Sequence, residues 1–183
     1  AIEIIASHAF GNEKRKQNLL RMFGEIWKES SEWTFVLTKK IPLLNYSSND
    51  TLIENLVFFL AMEDIKLMQE MLIEMLTIWS TKVHVFDTSF EQHFYLTKLI
   101  VLMVSYLPNP KDHANSIRQH LYNGIQLHIG STDDKLRALG MITSEIVIGI
   151  IDHDLKDEDK LKFEYKAFPE KIMAEIVNVI KKF

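Results

Sequence analysis

The chain has 183 residues, 47% of them hydrophobic and 25% charged, enough for one globular domain with a buried core. A net charge of −4 provides no global attraction to nucleic acid or to an anionic membrane. With no cysteine, disulfides and thiolate metal sites are excluded, and apolar runs such as Leu99 to Val104 are far too short to cross a bilayer. The chain begins at Ala1 rather than methionine and reads as an excised fragment, so a missing targeting segment says little.

Six glycines and four prolines punctuate a sequence whose apolar residues recur mostly at helical spacing. A helix is expected over Glu13 to Lys28, with Leu19, Leu20, Phe23, Ile26 and Trp27 on one side. Ser31 to Lys40 fits a strand or a short helix, and Pro42 should end it in either case. Ser47-Ser48-Asn49-Asp50 reads as a loop. Thr51 and Glu54 then have capping-box spacing for a helix to about Met62. Asp64 should cap the next helix, to about Ser80, whose stripe is Leu67, Met68, Met71, Leu72, Met75, Leu76 and Trp79.

Ser89 with Gln92 opens a helix reaching Leu107, apolar all round in its second half and so placed in the middle of the fold. Pro108-Asn109-Pro110 closes it. Helices over Asp112 to Ile129 and Ser131 to Ile151 follow, parted by Gly130. Gly140 lies inside the second of these. Glycine there costs about 1 kcal/mol against alanine, which close approach of a neighbouring helix would offset. Asp152 to Lys160 is acidic and loop-like, and a last helix starts near Pro169.

The pattern predicts an all-α fold: a HEAT-like solenoid of antiparallel helix pairs, with a compact helical bundle as the alternative. The expected organisation is a helical-repeat region over 1–165, an acidic loop or linker over 152–168 and a terminal helix over 169–183. No repeat of fixed period is present.

Chemistry-bearing motifs are sparse. The histidines never form HExxH, and His113 and His120, seven apart, could share only a helical face. Asp152-His153-Asp154 with Asp157, Glu158 and Asp159 lacks EF-hand spacing and glycine, so it reads as a solvated loop. No GxSxG, P-loop or GxGxxG occurs, no cofactor is implied, and no enzyme is expected. Lys14, Arg15, Lys16 and Arg21 form a basic patch that could touch phosphate, although Glu13 and Glu25 flank it and favour a solvated helix face. The methionines from Met62 to Met75 read as core before they read as a partner groove.

Several blocks resemble the telomere length regulation protein family, of Tel-two type. They are Trp79-Ser80, Thr88-Ser89-Phe90-Glu91-Gln92, Leu96-Thr97-Lys98, Leu136-Arg137-Ala138-Leu139-Gly140-Met141 with Ser144-Glu145, and Leu161-Lys162-Phe163-Glu164-Tyr165. Their order and spacing agree over about half of the chain, and residues before about Met62 carry no such block. The resemblance implies a non-enzymatic helical-repeat scaffold. It would be a subunit of the Triple-T co-chaperone complex, beside two other helical-repeat subunits. That complex serves the ninety-kilodalton heat-shock chaperone in maturing phosphatidylinositol-kinase-related kinases, among them mTOR, ATM, ATR and DNA-PKcs. Telomere maintenance, the DNA-damage response and a cytoplasmic and nuclear location would follow, with telomeric DNA as a further partner and no membrane.

By the same resemblance, the chain would close an amino-terminal solenoid just before an acidic linker whose phosphoserines recruit a chaperone-linked adaptor. Asp152 to Asp159 contains no serine, so this piece should not recruit it through phosphate. Ser131, followed by Asp133 and Asp134, reads as a helix cap rather than a modified residue. Trp79, Leu136, Leu139, Gly140, Met141 and Glu145 are the expected structural residues. Arg137 should hold a carboxylate, with Glu145 as the candidate. Lys162, Phe163 and Tyr165 should either meet a partner or tuck back onto the helices.

Overall fold

A computed structural model describes residues 18, 21, 28, 30–44 and 50–183, and these are helical, in turns or in irregular connections, with no strand among them. The fold is all-α. Two compact units divide the chain, 1–71 and 72–183.

In the first unit, α1 (Ser31–Phe35) starts where the Ser30 hydroxyl accepts the Trp33 N–H at 3.3 Å. It runs directly into a π-type segment, Val36–Leu44, so the helical alternative for this stretch is the one adopted. Pro42 was expected to end the element and instead lies inside it. The widened turn has already left the i→i−4 register, so a missing N–H costs less there than inside an α-helix. Leu37 and Ile41 are buried, as are Leu52, Ile53, Leu56, Val57, Phe59 and Leu60 of α2 (Asp50–Glu63). Asp50 is already helical, so Thr51 is inside the helix and not its cap. The expected helix over Glu13 to Lys28 and the expected loop at 47–50 fall largely outside the described residues, except that Asp50 is helical.

α3 (Ile65–Trp79) is capped by Asp64, whose Oδ1 accepts the Leu67 N–H at 3.0 Å. Its stripe is core: Met68, Met71, Leu72, Met75, Leu76 and Trp79 are all buried. In the second unit a short helix that the sequence reading did not anticipate, α4 (Lys82–Asp87), is capped by Thr81. α5 (Phe90–Ser105) begins with the expected capping box of Ser89 and Gln92 and ends two residues short of Leu107. Leu99 to Val104 are buried without exception, which puts α5 at the centre of this unit.

A 3₁₀ turn, Pro110–His113, leads into α6 (Ala114–Ile129), so Asp112 precedes the α-helix and caps nothing. α7 (Asp134–Ile151) is capped by Asp133. Ser131 was expected to do this; its buried hydroxyl instead accepts the Asp133 N–H at 3.1 Å and shapes the turn. α6 and α7 form a hairpin, and α7 also packs on α5. The C-terminal stretch is α8 (Glu170–Ile172), a π-type segment Met173–Val177 and α9 (Asn178–Ile180). Ile172, Ile176, Val177 and Ile180 are its buried side, and the π-type segment lies against α7.

Candidate functional site

The centre of the second unit holds a seam of aromatic rings. Trp79, at the end of α3, is fully buried and stacks on His128 of α6 with centroids 4.3 Å apart and planes 20° apart. His93 of α5 lies almost parallel to the indole at 6.1 Å and stacks on His128 at 4.9 Å. His84 of α4 tilts against His93 at 4.7 Å. Two glycines make room. A Cβ on Gly124 would stand 2.5 Å from Trp79 Cε3, and one on Gly140 would stand 2.7 Å from His128 Cγ and closer still to its Cβ. Gly140 therefore meets the root of a neighbouring side chain, which cannot swing aside.

The hydrogen bonds of the seam set its tautomers. The Gly124 carbonyl can only accept, so His128 Nδ1 carries the proton it donates there at 2.7 Å. In a neutral ring His128 Nε2 is then an acceptor, and His93 Nε2, 2.6 Å away, is the donor. The Trp79 indole N–H donates to Thr97 Oγ1 at 3.0 Å, and the Thr97 hydroxyl donates to the His93 carbonyl at 2.9 Å. Among the described residues three buried polar side-chain atoms have no hydrogen-bond partner: His93 Nδ1, His84 Nε2 and Ser144 Oγ.

Burial keeps these imidazoles neutral. It pushes His128 down to about 4, with the Gly124 bond opposing the shift and His84 adding to it. Burial likewise takes His84 to about 4. His93 is held well below the ordinary histidine range by burial first, then by repulsion from His128 and His84. A second proton in the His93–His128 contact would leave two N–H groups facing each other. His93 Nε2 and His128 Nε2 are occupied with one another, and among the described residues no three His, Asp or Glu groups are placed to hold a metal ion. The arrangement holds helices in register.

A second cluster involves Glu145. Its Oε2 accepts the Phe163 N–H at 3.1 Å and the Tyr165 hydroxyl at 2.9 Å, pinning the extended segment after the acidic loop back onto α7. Burial, and then the Glu145 bond, raise the Tyr165 phenol well above its usual value. Arg137 does not pair with Glu145. It forms an ion pair with Asp134, one turn before it, and its guanidinium lies 5.9 Å from the Phe168 ring. Asp134 is a single turn away on the same helix face, whereas Glu145 is eight residues on and engaged by the strap. Phe163 and Tyr165 are half-buried against the protein, and Lys162 is exposed. Glu145→Ala should therefore release the strap, seen as faster amide exchange over 161–168. Tyr165→Phe, which removes one bond to a carboxylate, should cost about 1–2 kcal/mol in a denaturant melt.

The other expected residues are placed as follows. Leu139 is fully buried on α7, while Leu136 and Met141 are half-buried. Arg21 is exposed, and Lys14, Arg15 and Lys16 lie outside the described residues. The acidic loop is held by ion pairs from Arg118 to Asp152 and from Lys111 to Asp154, the latter at 2.6 Å. The sequence reading missed His93, His128 and Gly124. Their signal was positional: Ile117, Leu121, Gly124 and His128 recur at helical spacing on the buried face of α6.

Fold and seam together define an all-α chain whose second unit is organised by close helix packing around buried neutral rings. Comparison with known proteins places it further. The chain is 26% identical to the mouse (Mus musculus) telomere length regulation protein TEL2 homolog over 170 residues, 91% of the chain and 20% of the relative. It is 24% identical to the human (Homo sapiens) TEL2 homolog over 152 residues, 81% of the chain and 18% of the relative. These similarities support a TEL2-like family for the chain. The chain spans about a fifth of the length of these relatives, which are named for regulating telomere length rather than for a reaction. No family model matches the chain, and no solved structure matches it.

Proposed function

We propose that this chain is part of a non-enzymatic scaffold for telomere length regulation, acting within a Triple-T co-chaperone complex. In this reading it helps the ninety-kilodalton heat-shock chaperone mature phosphatidylinositol-kinase-related kinases such as mTOR, ATM, ATR and DNA-PKcs, in cytoplasm and nucleus. The all-α hairpins would stack in solenoid order, each burying its face against its neighbours. The observation that carries the reading is the similarity to TEL2 homologs across nine-tenths of the chain. Residues that agree with the family blocks do structural work: Trp79 and Gly140 build the ring seam, and Glu145 holds the strap.

The test is binding of the purified chain to the purified Triple-T partners and to a kinase of this group. Retention of either, lost on Gly140→Leu, supports the scaffold reading. Retention of neither by a folded chain overturns it for this piece. Tight, steeply salt-dependent binding to telomeric DNA would replace it with the nucleic-acid reading.

A further inference from the structure

α7 contains a second glycine, and it contrasts with Gly140. A Cβ on Gly149 would meet nothing within 4 Å. Its backbone is helical and needs no left-handed conformation, so among the described residues neither packing nor dihedral angle explains a helix-breaking residue there. Gly149 forms part of the floor of a hollow of about 220 Å³, several waters' worth at ~30 Å³ each. Ile148, Leu155 and Leu161 provide its apolar lining, and Leu155 and Leu161 remain 41% and 39% exposed.

Asp152, Asp159 and Lys160 complete the rim. The charges of the rim and of the acidic loop beside it are almost all answered from within the chain. Asp152 pairs with Arg118, Asp154 with Lys111, Asp157 with Lys160, and Glu158 with Lys156. Asp159 alone among these carboxylates has no ion pair, and it lines the hollow. An apolar floor, a glycine that lets an outside group reach the helix, and one unanswered carboxylate at the edge together describe a complementary occupant.

We propose that the hollow over Gly149 docks one large apolar side chain of a partner protein segment that carries a lysine or arginine beside it. The pocket is defined by this chain's own geometry and stands apart from the kinase-maturation reading. The lysine or arginine pairs with Asp159 while the apolar side chain covers Leu155 and Leu161.

The test is an NMR titration of the whole chain with two capped hexapeptides, one placing lysine and the other glutamate beside a single tryptophan in a glycine background. The lysine peptide is expected to give saturable shifts at the Gly149 amide and the Leu155 and Leu161 methyls, binding several-fold tighter than the glutamate peptide. Asp159→Asn should erase that preference. Gly149→Leu should abolish the saturable shifts while leaving the melting temperature unchanged or higher. Equal affinity for the two peptides, no saturable shift at these residues, or a lower melting temperature for Gly149→Leu would overturn the proposal. Shifts at the hollow that grow with protein concentration without peptide would also overturn it, by making a second copy of the chain the occupant.

Discussion

Gly140→Leu is expected to lower the melting temperature by roughly 6–12 °C. The Cβ alone would sit 2.7 Å from His128 Cγ and closer to its Cβ, before any of the leucine's outer atoms are placed. His128 cannot give way by a rotamer change, because it is stacked on Trp79, bonded to the Gly124 carbonyl and opposed by His93. Relief requires α6 and α7 to move apart. Overpacking of this kind costs about 1–3 kcal/mol and more when the backbone must shift, and each kcal/mol is worth roughly 2–4 °C in a domain of this size. Gly140→Ala should already show much of the loss. Gly149→Ala, two and a half turns on in the same helix, should instead gain about 1 kcal/mol, because open space leaves only the propensity difference. Thermal melts of the three variants check the argument through the opposite signs expected at the two glycines.

Acid is the second large effect. The folded values of His84 and His128 are pushed to about 4, and that of His93 is held well below the ordinary 6.5. A depressed folded value means that the unfolded chain binds more protons below pH 6.5. The stabilisation is therefore complete above about 6.5 and is lost as pH falls toward about 4. Each histidine kept neutral removes up to ~1.4 kcal/mol per pH unit within that window. Protonation of His93 and of His128 opposes folding in the same direction, so both contribute to the loss as pH falls. Urea melts between pH 8 and pH 4.5 should show a flat stability above pH 7 and a steep fall below 6.5. His128→Asn, whose amide can still donate to the Gly124 carbonyl, should lower stability at pH 8 but flatten that slope. A slope unchanged in the variant would assign the acid sensitivity to other groups.

Much of the site was visible one residue at a time. Gly140 announced itself by standing inside a helical pattern, and Trp79 closed an apolar stripe at the right spacing. What could not be seen was that they belong to one seam. Gly140 touches His128, which touches both Trp79 and His93, and those residues are separated by 12, 49 and 35 positions respectively. Arg137 shows the opposite failure. A carboxylate partner was expected, but Asp134 and Glu145 were both available, and the choice depended on where a distant strap returned to the helix. Pro42 misled because its usual effect assumes an α-helical ladder, and the local backbone is of π type.

The sequence by itself determined most of the helices and some of their start signals. Apolar spacing and short polar caps act over three or four residues, so the chain states them locally: Asp64, the Ser89–Gln92 box and the all-apolar second half of α5. Only the tertiary structure decided which histidines are neutral core rings, which glycine faces a neighbour and which faces open space, and where Tyr165 rests. Those outcomes depend on contacts between residues far apart in the chain, and on the burial that such contacts create. Desolvation, and with it the protonation of His93 and His128, exists only once the helices have come together.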